Sequence, residues 1–344
     1  MTLAPGATPG SRPTVGPAPA FLGSPELGRV LAGLGLTALD VGARRGFTAD
    51  LEPLAFAVDA VGFEPDLEEC ARLNRGATPS PWRSLRYLPV ALGRDGGPRP
   101  LHLYSNPECS SLLEADAALA GRYGRAHYFQ PAGVVDVATV PLDVAAATHG
   151  LERTAFVKAD VQGAELEVFQ SGARLLAESV LAVRTEVELV PLYRGQPLWA
   201  DVDRYLRSLG FMPMGFVEMR EWRHAVAGRP PGGRDARYSR GQLVHADVLY
   251  LRDPDAASAP EPEALVRLAA LAMAYEYVDF GIDLLRRPRV SDYLATTWGV
   301  DVAAATDVVA ATVDRAHRRA SRRRLWTTFK GMCLVPLRAA GRAR

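Results

Sequence analysis

Two stretches near the start of the chain carry residue types that can hold a ligand. Asp40-Val41-Gly42-Ala43-Arg44-Arg45-Gly46 closes an apolar run and leads towards helix-forming residues. Glycines at such a turn accept positive φ and let the backbone approach a ligand closely. The spacing is not G-x-G-x-x-G: the middle glycine of a pyrophosphate turn is missing, and an acid precedes the first glycine. A carboxylate there repels a pyrophosphate. It suits a ligand bearing an ammonium and a sulfonium, as S-adenosylmethionine does. About two dozen residues on, Gly62-Phe63-Glu64-Pro65 ends a second apolar run, where an acid can accept from both hydroxyls of a ribose. Either feature alone can be no more than a turn; in order, on adjacent strands, they point to an adenosine-type cofactor. Asp40, Gly42, Ala43, Gly46 and Glu64 are its candidate residues.

A second polar cluster lies in Phe156-Val157-Lys158-Ala159-Asp160-Val161-Gln162-Gly163-Ala164-Glu165-Leu166-Glu167. Lys158 and Asp160 stand two apart in an apolar strand, so both leave the same face. A glycine turn follows, and then Glu165 in a first helical turn. These three are the candidate catalytic groups. The next strand tip adds Glu186 and Glu188. Solvated carboxylates that compensate a helix end are the plain alternative. Lys158 stands out for another reason: of forty basic residues, only Lys158 and Lys330 are lysine. In a chain that accepts arginine almost everywhere, a retained lysine marks a place for a compact ammonium.

Such groups act together only if strand tips converge. Ser24 can cap a short helix with Pro25 and Glu26 in its first turn, ending near Gly33 to Gly35. Apolar runs at 37–41, 58–63, 85–92, 100–104, 134–140, 155–160, 180–186, 211–218 and 245–251 read as strands. Helices are expected from about Phe47, over 66–74, after Asp143 as a cap, and over 165–170 and 200–209. The 85–92 and 100–104 strands flank a glycine-rich turn and read as an antiparallel pair. A polar loop at 228–241 leads to the last strand. Strands alternating with helices predict an α/β fold with a mostly parallel sheet, and the last two strands an antiparallel edge pair. Ligands of such sheets bind beyond the carboxyl ends of the strands, where these polar groups fall.

Residues 1–22, rich in Pro, Gly, Ala and Thr, read as a flexible leader, and 23–252 as the α/β domain. Residues 253–344 read as an all-helical extension, with apolar positions at helical spacing over 261–285, up to Trp298, and over 301–326. Because the sheet is complete by Arg252, truncation before Pro260 is expected to leave a folded core. The final stretch, 315–344, holds ten lysines and arginines and no acid. It is a solvated face or a weak contact for an anionic membrane surface.

A net charge of +1 supplies no field for nucleic acid, so no such partner is expected. Cys70, Cys109 and Cys333 are odd in number and widely spaced, which argues against a disulfide framework and a zinc site. No apolar run approaches the roughly 20 residues that span a bilayer. The start of the chain lacks the basic and apolar regions of a signal peptide, so a cytoplasmic location is expected.

The order Asp-Val-Gly-Ala-x-x-Gly, Phe-Glu-Pro-Asp, Pro-Leu-Asp and Val-Lys-Ala-Asp-Val-Gln-Gly-Ala-Glu-Leu-Glu-Val resembles the FkbM family of methyltransferases. The likeness spans about 37–252. It includes Ser110-Ser111-Leu112, Glu186-Val187-Glu188 and Leu192-Tyr193-Arg194-Gly195-Gln196-Pro197. It implies a Rossmann-like class I methyltransferase sheet and S-adenosylmethionine as cofactor. The implied reaction is O-methylation of a hydroxyl on a sugar, glycolipid or polyketide-type natural product. By that resemblance Asp40, Gly42 and Gly46 fall in the cofactor turn and Glu64 at the ribose. Lys158, Asp160, Gly163 and Glu165 fall in the second signature, where many relatives have Glu for Gln162. Ser110, Ser111, Glu186 and Tyr193 are acceptor-side candidates. The helical extension has no counterpart in the likeness.

Methyl transfer to an alcohol is an in-line displacement in which the protein supplies alignment and takes a proton. Asp160 is the first candidate base, with Lys158 beside it to orient the oxygen, while Glu165 and Glu186 can bind acceptor hydroxyls. Asp160 and Glu186 would offer hard oxygen ligands to a divalent metal, although no ligand spacing supports one. Two other classes stay open. A nicotinamide-dependent oxidoreductase would need the missing glycine fingerprint and a wholly parallel sheet. A non-catalytic binding module would keep the fold and use the helical extension as its working surface.

Overall fold

The computed structural model describes residues 21–76, 80–225, 240–256 and 260–319. Ser24 accepts from the Leu27 amide, Pro25 sits where no N–H is needed, and Gly35 at φ 64° ends α1 (Pro25–Leu34). Phe21, in the stretch read as a leader, is instead buried in the core. Paired backbone bonds with Ser24, of 2.9 and 3.0 Å, turn it inward. The rest of that stretch, 1–20, lies outside the described residues, as do 320–344 with most of the basic tail.

β1 (Leu36–Val41) and β2 (Val58–Phe63) are joined by a 3-10 helix, Ala49–Ala57, capped by Thr48. The expected α-helix from Phe47 does not form: Pro53, in the middle of the segment, has no N–H for an α-type bond. α2 (Leu67–Asn74) starts on Asp66, whose carboxylate accepts from the Glu68 and Glu69 amides. β3 (Ser84–Leu88) ends at Pro89, so the stretch read as one strand over 85–92 divides. Its second part, β4 (Ala91–Leu92), joins β5 (Gly97–Tyr104) and, beyond α3 (Ala117–Arg122), β6 (Pro131–Val140) in a small second sheet. There β6 lies between the other two, antiparallel to β5 and parallel to β4. β5 therefore pairs with a later strand and not with its neighbour in sequence.

α4 (Leu142–His149), β7 (Thr154–Ala159), α5 (Glu165–Ser171), α6 (Ala173–Glu178), β8 (Ala182–Glu188), α7 (Trp199–Ser208), β9 (Phe211–Trp222) and β10 (Gln242–Arg252) complete the α/β part. Asp143, read as the cap of α4, lies inside it. Its carboxylate accepts from the Arg174 and Leu175 amides and so caps α6. The main sheet of seven strands runs β3-β2-β1-β7-β8-β10-β9. All neighbours are parallel except β10, which runs against both β8 and β9. This is the mostly parallel sheet with an antiparallel edge that the sequence predicts. Strand order reverses between β1 and β7, the switch point where open α/β sheets bind ligands.

Successive β1 residues serve opposite faces, Leu39 packing with Val157, Phe169 and Leu176 under α5 to α7, and Ala38 packing on the other side. That other side is covered by α1 and the C-terminal helices: α8 (Pro262–Ala274), α9 (Val278–Arg286), α10 (Pro288–Trp298) and helical backbone over 302–319. The expected helix over 261–285 breaks at Glu276, φ 69°. There α9 folds back so closely that a Cβ on Gly281 would come 2.5 Å from Met273 Cγ. Leu265, Leu268 and Leu271 share one apolar cluster with Ala38, Val58 and Phe156 of the sheet. The change at 253 is thus one of secondary structure, while the core runs on without a break. Among the described residues, no helix is long and apolar enough to cross a membrane.

Leu268→Ala, at a fully buried position, should lower the free energy of unfolding by about 2–5 kcal/mol. Truncation before Pro260 should abolish the cooperative urea transition, because it bares the apolar sheet face. Circular dichroism during urea unfolding measures both. A truncated chain with an unchanged midpoint would show that the sheet does not depend on this cover.

Candidate functional site

The carboxyl ends of β1, β2, β7 and β8 open onto a cavity of about 1080 Å³. Asp40, Glu64, Lys158 and Asp160 lie on its floor at these strand ends, and His245 and Trp222 line it together with Leu101 and Val137 of the small sheet.

Asp40 is 1 % exposed. Its Oδ2 accepts from the Thr48 amide at 2.8 Å, and its Oδ1 from Lys158 Nζ at 3.1 Å. Burial raises the carboxyl, opposed by the ammonium and the amide. Lys158 faces Asp40 across the β1–β7 ladder and lies 3.7 Å from Asp160 Oδ2. Burial works against its charge, but the two carboxylates outweigh it and hold the ammonium above the usual lysine range. Asp40 thus shapes the turn: each of its oxygens already accepts from the chain itself. Gly42, at φ 90°, is required by the fold as well, since a Cβ there would come 2.0 Å from the Asp160 carbonyl oxygen. Ala43 lies beneath the surface with its amide on the Phe63 carbonyl at 3.0 Å, and does not line the cavity. Gly46, at φ 103°, closes the turn with its amide on Ala43.

Glu64 is 3 % exposed, accepts from the Asp66 amide through Oε1 at 2.9 Å, and lies 3.8 Å from Arg44. Burial raises its pKa. Oε2 takes no hydrogen bond from the described residues, which leaves an acceptor on the cavity wall for a hydroxylated ligand. That acceptor, beside the glycine turn, fits a ribose hydroxyl of S-adenosylmethionine.

The acceptor-side candidates are organised around Gln162, a non-glycine residue at φ 57°. Its Nε2 donates to Asp160 Oδ1 at 3.0 Å and to Glu186 Oε2 at 2.6 Å. Ser111 Oγ donates to its carbonyl at 2.7 Å, and the Tyr193 hydroxyl reaches its Oε1 at 3.0 Å and the Cys109 carbonyl at 2.8 Å. Ser110 and Ser111 line the cavity, whereas Tyr193 stands behind the wall and supports Gln162. Glu165 does not line the cavity either. Its carboxylate turns under its own loop to accept from the Val161 amide at 2.8 Å and the Gly163 amide at 3.0 Å. Burial and the Glu186 charge push it up to about 8. Glu186 does face the cavity; burial and Asp160 push it up to about 7. Buried Glu188, also on the wall, is raised well above the usual range.

The structure adds groups that the sequence did not single out. His245 Nδ1 lies 2.8 Å from Glu186 Oε1. Arg184 reaches Asp247 at 2.7 Å and pairs with Asp50, which also accepts from the Tyr275 hydroxyl at 2.7 Å. Tyr275 thereby ties the C-terminal helices to the cavity floor. The alternation of His245 and Asp247 on one strand was the available signal, but its register against β8 is not written in sequence. Among the described residues, no three His, Cys, Asp or Glu side chains are grouped to hold a metal ion.

The family model of the methyltransferase FkbM domain matches residues 40–213. Among solved structures, a methyltransferase FkbM from Methylobacillus flagellatus KT aligns at 13 % identity and TM-score 0.32, over 63 % of this chain and 44 % of that one. This chain therefore spans less than half of that relative's length. The 23S rRNA methyltransferase ErmE aligns at 11 % identity and TM-score 0.28, over 83 % of this chain and 97 % of that one. No curated protein matches.

Because the folded pKa of Glu165 lies above its unfolded value, the folded state binds more protons than the unfolded one. The contribution of Glu165 to stability is full below pH about 4.5 and falls as pH rises towards about 8. Glu165→Gln removes this titration, so the stability of the variant relative to wild type should improve from pH 5 to pH 8. Urea unfolding at both pH values measures the difference. A difference independent of pH would mean that the Glu165 carboxyl titrates normally in the fold.

Proposed function

This chain belongs to the FkbM methyltransferase family, and we propose that it is an S-adenosylmethionine-dependent O-methyltransferase acting on a hydroxyl of a sugar, glycolipid or natural product. The observation that carries this reading is that cofactor-type and acceptor-type groups meet in one cavity. Asp40 and Glu64 stand at the tips of β1 and β2, and Asp160, Gln162 and Glu186 at the ends of the neighbouring β7 and β8, with Lys158 between Asp40 and Asp160. The cofactor, when bound, supplies a methyl carbon on a sulfonium.

Glu64 accepts from the ribose hydroxyls through its outward oxygen. Asp40 holds the turn closed through Thr48 and Lys158, and Gly42 and Gly46 give it its path. Asp160, half-buried beside the Lys158 ammonium, orients the acceptor hydroxyl together with Ser110. Glu165 and Tyr193 serve this wall from behind, the first by fixing the 161–163 loop and the second by fixing Gln162. Apolar residues of the small sheet, Leu101, Leu103, Val135 and Val137, also line the cavity and offer an apolar surface to the body of an acceptor.

Calorimetry should show binding of S-adenosylmethionine and of its demethylated product, both tighter than NAD. Glu64→Ala should weaken cofactor binding by about 1–3 kcal/mol, the scale for charge-assisted hydrogen bonds, and leave the fold intact. NAD bound more tightly than either, or unchanged affinity in a folded Glu64→Ala chain, would contradict the assigned cofactor wall. Label from methyl-tritiated cofactor appearing in a hydroxylated acceptor tests the reaction itself.

A further inference from the structure

His245 stands on β10 with its ring on the acceptor wall of the cavity. Its Nδ1 is 2.8 Å from Glu186 Oε1, and Glu186 Oε2 is fixed at 2.6 Å by the Gln162 amide. The Gln162 side chain is fixed in turn by the Tyr193 hydroxyl. A carboxylate in that position takes the proton on Nδ1 and leaves the lone pair on Nε2. Nε2 takes no hydrogen bond from the described residues. Trp222 meets the imidazole edge to face, with ring centroids 5.7 Å apart, and restrains its plane. Asp160, the other basic group on this wall, lies 3.7 Å from the Lys158 ammonium and accepts from Gln162. Each of its oxygens is thus already engaged by a neighbour, whereas Nε2 of His245 faces the cavity without one among the described residues.

On the reading of the chain as an O-methyltransferase, we propose that His245 is the general base, with Glu186 and Gln162 as positioning residues. The acceptor oxygen forms a bond to the methyl carbon, and the carbon–sulfur bond breaks with its electron pair left on sulfur. The hydroxyl proton passes to His245 Nε2. The positive charge lost at sulfur is thus regained on an imidazolium held by Glu186. The titratable groups near the ring are Glu186 and Glu188 on β8, Asp160 beyond β7, Asp247 on β10 and Arg220 on β9.

The test uses the full chain, methyl-tritiated S-adenosylmethionine, and a small-molecule extract of the producing cell as acceptor pool. His245→Gln keeps a donor for Glu186, so its fold should hold, with affinity for the demethylated cofactor within about threefold of wild type. Its rate of label transfer should fall by about 100-fold or more, the scale for a lost general base. His245→Ala should lose as much and regain part of it on addition of free imidazole. Glu186→Gln should lower the rate about tenfold and, by nitrogen-15 NMR, move the His245 proton from Nδ1 towards Nε2. Transfer by His245→Gln within about threefold of wild type would overturn the assignment, as would a loss in His245→Ala that imidazole does not relieve. A wild-type chain that binds no S-adenosylmethionine would defeat the methyltransferase reading itself. Binding and transfer that survive in both His245 variants would defeat only the base.

Discussion

A part-buried ammonium between two carboxylates holds the working end of this sheet together. Lys158 bonds Asp40 across the β1–β7 ladder and lies close to Asp160, and Asp40 spends its other oxygen on the Thr48 amide. One contact thus fixes the first strand tip, the turn that follows, and the strand on the far side of the switch point. The backbone needs this closeness: Gly42 has room for no side chain because the Asp160 carbonyl presses on it. Removing one partner of a buried pair strands the other charge in the interior, at a cost of about 3–5 kcal/mol. Arginine, used nearly everywhere else in the chain, is longer and planar and would not place one compact charge between Asp40 and Asp160.

The acceptor wall meets the opposite problem, an excess of negative charge. Glu165, Glu186 and Glu188 are all raised by burial first, and then by nearby carboxylates: Glu186 acts on Glu165, Asp160 on Glu186, and Glu165 and Glu186 on Glu188. The fold relieves the crowding in three ways. Glu165 turns away onto loop amides, Gln162 places a neutral amide between Asp160 and Glu186, and His245 sits on the free side of Glu186. Gln162 adopts a left-handed backbone to do so, a strained conformation held by Ser111 and Tyr193. The same arrangement that makes these acids tolerable gives the cavity an oriented imidazole.

What could be seen in the sequence follows from what strand geometry dictates locally. Asp40 and Glu64 end apolar runs, so their place at strand tips is fixed by the runs themselves, and the period of two puts Lys158 and Asp160 on one face. Glu165 was misplaced because an acid in a first helical turn looks the same whether it faces a ligand or its own loop; only the path of residues 161–163 decides. His245 gave no signal beyond its position, since its partner lies 59 residues earlier and is reached through an antiparallel register. The small sheet hid for a similar reason, β5 passing over its near neighbour to pair with β6. Periodicity revealed the C-terminal helices, but not that their apolar face completes the core of the sheet.

The role of the Asp40–Lys158 pair is measured most directly by a double-mutant cycle in urea unfolding, with Asp40→Asn, Lys158→Met and both together. If the pair ties the two strand tips, each single change should cost about 3–5 kcal/mol. The double variant should then cost little more than either, giving a coupling energy above about 1.5 kcal/mol. Costs that add to within about 0.5 kcal/mol would contradict that role and make the two residues independent occupants of the same cavity floor.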